Sequence, residues 1–220
     1  IASLLVMGTK QSHHHDRYYF FNYLTQYEEP SKQTAHAIPD GDLAKLSRLM
    51  AQNAKDNYNA KLFYAIFHIA LETEFRLSQI LHLTIDSIKP TMKPNQFCIH
   101  SNSKTSHGRI DKYVITDLTY RHIIDIIEET GKLRAQAEES VAQYIFLLLG
   151  RSRSVTVLNI ETFRAYMKNC CDELNIPRYT SQNIRDTHMT KAFEYILRNG
   201  KGDLEMKILS KHRNLDTTKS

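Results

Sequence analysis

Between Asn57 and Leu71 the chain is apolar on almost every side: Leu62, Phe63, Ile66, Phe67, Ile69, Ala70 and Leu71 leave no continuous polar face. A helix of that composition cannot lie on a surface, where one flank would meet water, so it has to be a central helix with other elements wrapped around it. The neighbouring sequence supplies those elements. Ile38-Pro39-Asp40-Gly41-Asp42 opens a preceding helix that carries Leu43, Leu46 and Leu49 at helical spacing. A short helix begins at Arg76 and runs through Leu83. Gln96–His100 and Lys112–Thr116 read as strands. The polar loop between them, with Lys104 and Gly108, makes them a β-hairpin with a lysine near its tip. Tyr120–Glu139 reads as an amphipathic helix. Asn159 caps another, with Phe163, Tyr166 and Met167 inward and Ile176-Pro177 at its end. Asn183–Arg198 is helical up to Asn199-Gly200, and Leu204–Leu209 makes a last short helix. The fold class expected is α+β, predominantly helical, with a small antiparallel sheet.

The chain has 220 residues and is 41% hydrophobic, which suffices for one full domain plus a fragment. Residues Ile1–Tyr27 read as helical and are dense in Tyr18, Tyr19, Phe20, Phe21, Tyr23 and Leu24, but are too short to fold alone. A polar stretch with Pro30 follows as a linker, so a boundary is expected between residues 36 and 37. The net charge is +5 and the pI about 9.0, which mildly favours a polyanionic partner. Cys98 and the adjacent Cys170 and Cys171 make no disulfide framework and suit a reducing, cytoplasmic compartment. There is no C-x-x-C for zinc, and the carboxylates are not clustered as a two-metal phosphotransferase needs; no cofactor or metal is expected. Ile1–Met7 is too short to span a membrane and lacks the basic lead of a signal peptide.

Four cationic residues stand in wording suited to holding a phosphate: Arg76 in Thr73–Leu81, Lys104 in Ser103-Lys104-Thr105, Arg185 in Gln182–Thr187 and His212 in Leu209–Asn214. An arginine donates two parallel charge-assisted hydrogen bonds from a planar fork and stays protonated. Two of them can clamp both non-bridging oxygens and stabilise the charge that grows at phosphorus. Ordinary alternatives exist for each. Arg76 could pair with Glu72 or Glu74, and its position after a buried helix argues that an unpaired charge there would be costly. Arg185 could pair with Asp186 or Glu194, Lys104 could be a solvated loop lysine, and His212 could cap a helix end. Gln182 can hydrogen-bond a phosphate oxygen but cannot exchange protons at neutral pH.

In order and spacing these residues resemble the tyrosine recombinase family, of the phage-integrase type. The resemblance covers residues 37–220 as the family's catalytic domain, with residues 1–36 as the end of its core DNA-binding domain plus a linker. Thr73–Leu81 is similar to the first arginine box, Ser103-Lys104-Thr105 to the hairpin lysine and Gln182–Thr187 to the second arginine box. Leu209–Arg213 is similar to the third box. The pattern departs from the family at Glu74 (usually Gly), Gln79 (usually Glu), Gln182 (usually His) and Asp186 (often His). The family's nucleophilic tyrosine is expected about nine residues after His212, and no tyrosine within the 220 residues has the matching context; this chain alone is expected to bind DNA without cutting it. The resemblance implies site-specific recombination of double-stranded DNA through a 3′-phosphotyrosine link, with the bond energy conserved and neither ATP nor metal required. Lys104 would be the general acid on the leaving 5′ oxygen, with Lys112 its rival. It also implies a homotetramer on DNA with exchanged C-terminal segments. A non-catalytic DNA-binding relative and a type IB topoisomerase are the alternatives.

Overall fold

The computed structural model describes residues 37–91, 96–102, 110–150 and 154–198. The helices expected over Ile1–Tyr27 and Leu204–Leu209, the hairpin lysine Lys104 and His212 lie outside the described residues. Residues Ala37–His188 form one compact unit; the described part of a second unit, residues 189–198, is helical.

The order of elements is α1 (Asp40–Asn53), α2 (Tyr58–Glu72), α3 (Leu77–Leu81), β1 (Ile88–Pro90), β2 (Phe97–Asn102), β3 (Ile110–Ile115), α4 (Asp117–Glu129), α5 (Gly131–Gln136), α6 (Glu139–Ala142), β4 (Leu147–Leu149), β5 (Val155–Val157), α7 (Ile160–Glu173) and α8 (Ser181–Arg198). The apolar run is the central helix α2. Asn57 starts it by accepting the Ala60 N–H at 3.1 Å. Leu62, Ile66, Phe67 and Ile69 are all fully buried, because α1, α3, α4 and β3 pack around the helix. Each such side chain contributes about 1.5–3 kcal/mol on leaving water. In α1, Asp40 and Asp42 occupy the positive end of the helix, and Leu46 and Met50, one turn apart, face α2.

Strands β1, β2 and β3 form one antiparallel sheet in that order, so the expected hairpin is present. Its register puts Ile88, Ile99 and Tyr113 on the core face and Lys89, Cys98 and Val114 on the outer one. The sheet is tied to α2 through Glu72. That carboxylate accepts from the Thr116 N–H at 2.8 Å, the Thr116 hydroxyl at 2.7 Å and the Thr119 hydroxyl at 2.7 Å, at the N-terminus of α4. Three donors and a helix N-terminus converge on one charge. Glu72→Ala is therefore expected to lower stability by roughly 2–3 kcal/mol. A urea midpoint unchanged from wild type would show that this joint carries no load.

The single helix expected from Tyr120 to Glu139 is instead two, α4 and α5, and α6 starts where it was expected to end. The break has a local cause. The Thr130 hydroxyl turns back onto the Ile126 carbonyl at 2.7 Å, and Gly131, a poor helix residue, follows. Arg134 then gathers the returning chain, donating to the Thr130 hydroxyl at 3.0 Å, the Tyr144 carbonyl at 2.7 Å and the Ala142 carbonyl. A second antiparallel ladder, β4 with β5, follows this return.

Helix α7 starts at Asn159, which accepts the Thr162 N–H at 2.8 Å, and buries Phe163, Met167, Cys170 and Cys171. Tyr166 is only partly buried and stacks on Phe63. The helix stops in a left-handed turn at Asn175 (φ 52°), with the Ile176 N–H returning to the Cys171 carbonyl at 3.1 Å. Helix α8 begins in a reciprocal cap. Asn183 accepts from the Thr180 N–H and hydroxyl, both at 2.8 Å, and donates its own N–H to that hydroxyl at 3.4 Å. The Ile38 N–H donates to the buried Thr187 hydroxyl at 2.8 Å and fastens the start of the unit to α8.

Candidate phosphate-binding site

The extended segment Thr73–Arg76 exists because α2 stops abruptly. Thr73 leaves the helix in extended conformation, and its hydroxyl donates back to the Ile69 carbonyl at 2.7 Å. Arg76 keeps the extended backbone as the residue before α3, and its N–H donates to Oε1 of Gln79 at 2.9 Å. Gln79 thus does for the backbone what a glutamate at that place would do. Arg76 is exposed, which corrects the expectation that its charge is costly because it follows a buried helix: the guanidinium is solvated. Among the described residues it forms no ion pair with Glu72 or Glu74.

Arg185 reaches the same segment from α8. Its Nε–H donates to the carbonyl oxygen of Glu74 at 2.8 Å, two residues before Arg76. That bond uses the inner edge of the guanidinium and leaves its two terminal nitrogens for another partner. One turn further, Nδ1 of His188 donates to the Leu71 carbonyl at 2.8 Å, which fixes the Nδ1–H tautomer. Burial pushes the pKa of this imidazole down, with the nearby Arg185 charge acting in the same direction and the Leu71 bond opposing it.

Arg76, Gln182 and Arg185 line one open cleft of about 190 Å³ within the unit of residues 37–188. Ser78 and Ser181 add hydroxyls to it, and Arg164, from α7, adds a third guanidinium that the sequence reading did not single out. The Gln182 side-chain amide donates to Asp186 at 2.6 Å, one turn along α8. Three guanidiniums, two hydroxyls and a carboxamide suit an oxyanion with several acceptor oxygens. The structure therefore brings together three of the five residues singled out from sequence; Lys104 and His212 lie outside the described residues. Lys112, the rival lysine, is exposed on β3 opposite His100 of β2. Among the described residues no group of three His, Cys, Asp or Glu could hold a metal ion, and no helix is long and apolar enough to cross a membrane.

No family model and no curated protein matches the sequence. Solved structures match the fold. The XerH site-specific recombinase bound to palindromic difH substrate, in a post-cleavage complex, superposes with a TM-score of 0.62 at 13% identity, over 84% of this chain and 48% of that one. The fold is that of a tyrosine-recombinase catalytic domain. Two further structures with this recombinase fold agree. XerA recombinase has a TM-score of 0.57 at 16% identity, over 87% of this chain and 60% of its own. The Tn1549 transposon integrase in complex with transposon right end DNA has a TM-score of 0.59 at 15% identity, over 89% and 64%. The chain thus spans about half the length of XerH and less than two thirds of the other two.

Proposed function

We propose that the cleft of Arg76, Gln182 and Arg185 grips the scissile phosphate of duplex DNA. On this reading the chain is the catalytic part, residues 37–220, of a site-specific recombinase that works through a 3′-phosphotyrosine. The observation that carries the reading is the bond from Arg185 to the Glu74 carbonyl. It joins the two arginine boxes, 109 residues apart by number, into one anion site. It occurs in a fold whose matches include recombinases solved on their DNA.

In this scheme the two arginines clamp the non-bridging oxygens, and a tyrosine attacks phosphorus as the 5′ oxygen leaves. Lys104 supplies that oxygen's proton and His212 adds a further phosphate hydrogen bond. Residues 1–36 end a DNA-clasping domain, and four copies assemble on two sites with C-terminal segments exchanged.

A binding-only relative is the second reading, and Gln182 favours it. Its amide cannot exchange protons, and one of its donors is engaged by Asp186.

A polypeptide of these 220 residues is expected to bind DNA with a log-affinity that falls steeply with log salt, at a slope equivalent to on the order of four to eight phosphate contacts. It is expected to form no covalent adduct on a nicked suicide duplex, since no tyrosine in it matches the nucleophile's context. A flat salt response would sink the DNA reading. An adduct on denaturing gels would move the nucleophile to a tyrosine inside the chain.

A further inference from the structure

The cleft has one arginine more than a single phosphate can use. Arg76 and Arg185 already offer two planar forks, enough for both non-bridging oxygens. Arg164 comes from a third element, α7, and belongs to neither arginine box. Its Nη1 donates to Oε1 of Glu161 at 2.7 Å, three residues earlier on the same helix. Both side chains are largely in water, 56% exposed for Arg164 and 77% for Glu161. An exposed pair of this kind holds weakly and is screened by salt. It is therefore a resting partner that a DNA phosphate can displace: a phosphodiester matches the single charge and two acceptor oxygens of a carboxylate, and the neighbouring phosphates of the duplex and the counterions they release add attraction that one glutamate lacks.

We propose that Arg164 takes a second backbone phosphate, adjacent to the one held by Arg76 and Arg185, and that Glu161 occupies its fork until DNA arrives. The inference rests on the phosphodiester reading of the cleft. A DNA strand presents one phosphate per nucleotide, so a cleft that grips one of them meets its neighbour as well. Ser78 and Ser181, lining the same space, supply neutral donors beside the guanidiniums. Glu161 then acts against binding in the free protein. It lowers the affinity for any polyanion that does not displace it.

The test is fluorescence anisotropy of the 220-residue chain on a short labelled duplex of mixed sequence, titrated across a series of salt concentrations. Arg164→Gln is expected to reduce the log–log salt slope by about one and to weaken binding about equally across DNA sequences. Glu161→Gln is expected to raise affinity by about two- to five-fold, the range an exposed ion pair commands. Arg121→Gln is the control. Arg121 is also an exposed arginine paired on its own helix, with Asp117, but it is not in the cleft, and its slope should match wild type. Thermal melts of the three variants should superimpose on wild type, since all three side chains are exposed. If Arg164→Gln keeps the wild-type slope while Arg76→Gln loses affinity, the second phosphate is refuted and the cleft reading stands. If Arg121→Gln loses as much as Arg164→Gln, the effect is general charge and the assignment of Arg164 fails. If wild type itself shows no salt dependence, the phosphodiester reading fails and takes this inference with it.

Discussion

Arg185→Ala, in a chain that carries the expected tyrosine, should cut DNA at least about 10²- to 10³-fold more slowly than wild type, the loss typical of one transition-state donor. The fold should survive. Losing the bond from Nε to the Glu74 carbonyl removes about 1 kcal/mol of net stability. Arg185→Lys should recover little of the rate, for a reason visible in the geometry. The guanidinium divides its work: one N–H holds the Glu74 carbonyl while the two terminal nitrogens are left for the oxyanion. A lysine has one nitrogen and must choose between the tasks. Single-turnover cleavage of a suicide duplex measures this directly. A lysine variant at the wild-type rate would mean that Arg185 acts as a diffuse charge, and an alanine variant at that rate would remove it from the chemistry.

The parts of the fold that were legible from sequence are those where local chemistry and global packing agree. Asn159 announces its helix because a side-chain oxygen there satisfies an otherwise unpaired N–H. The α2 run has no polar face and could only be central. The hairpin strands alternate in a way that their burial bears out, with Ile99 and Ile115 inward and Val114 outward. The parts that stayed hidden depend on contacts distant in sequence. Tyr120–Glu139 has a continuous amphipathic pattern that masks the break at Thr130 and Gly131, and the turned chain is held by Arg134, which bonds the Ala142 and Tyr144 carbonyls eight and ten residues on. Strands β4 and β5 are three residues each, and an apolar run such as Ile145–Leu149 does not by its pattern distinguish a buried strand from a buried helix.

The candidate site was legible to the extent that its residues belong to recognisable local wording. Arg76 and Arg185 stood out that way and line one cleft. Arg76 is exposed and not buried, because the helix end that precedes it releases the side chain into water. Arg164 could not be found from sequence. Between Phe163 and Tyr166 it looks like any solvent-facing arginine on an amphipathic helix, with Glu161 at the spacing of an ordinary surface pair. Only the approach of α7 to the Arg76 segment gives it a role. His188 was missed for a similar reason: its partner, the Leu71 carbonyl, is 117 residues away in the chain.

The second large effect concerns acid. His68 on α2 and His122 on α4 sit with ring centroids 5.7 Å apart, and the edge of Tyr64 meets both, at 4.5 and 4.9 Å. Neither buried Nε2 has a hydrogen-bond partner among the described residues. Burial, and then the charge His122 would carry, push His68 from its ordinary 6.5 to about 4. Burial also lowers His122. Glu72 beside His68 and Asp125 beside His122 oppose these shifts without overcoming them. The folded chain therefore binds fewer protons than the unfolded one in weak acid. Above about pH 6.5 both states are neutral at these rings and the stability is fully present. Between about 6.5 and 4 the unfolded chain takes up a proton that the folded one refuses. His68 then removes up to about 1.4 kcal/mol per pH unit, about 3 kcal/mol over the whole window. The lowered pKa of His188 acts in the same direction. The depressed carboxylates Asp42 and Asp172, whose ordinary value is 3.8, contribute their losses in more acidic solution. The window above pH 4 thus belongs mainly to the histidines. Urea midpoints at pH 7 and pH 4.5 should differ markedly in wild type and much less in His68→Phe, which fills the space beside Tyr64 and Phe67 with a ring that cannot be protonated. If the two proteins lose stability equally over that interval, the acid sensitivity lies elsewhere and the half-buried imidazole pair is not its source.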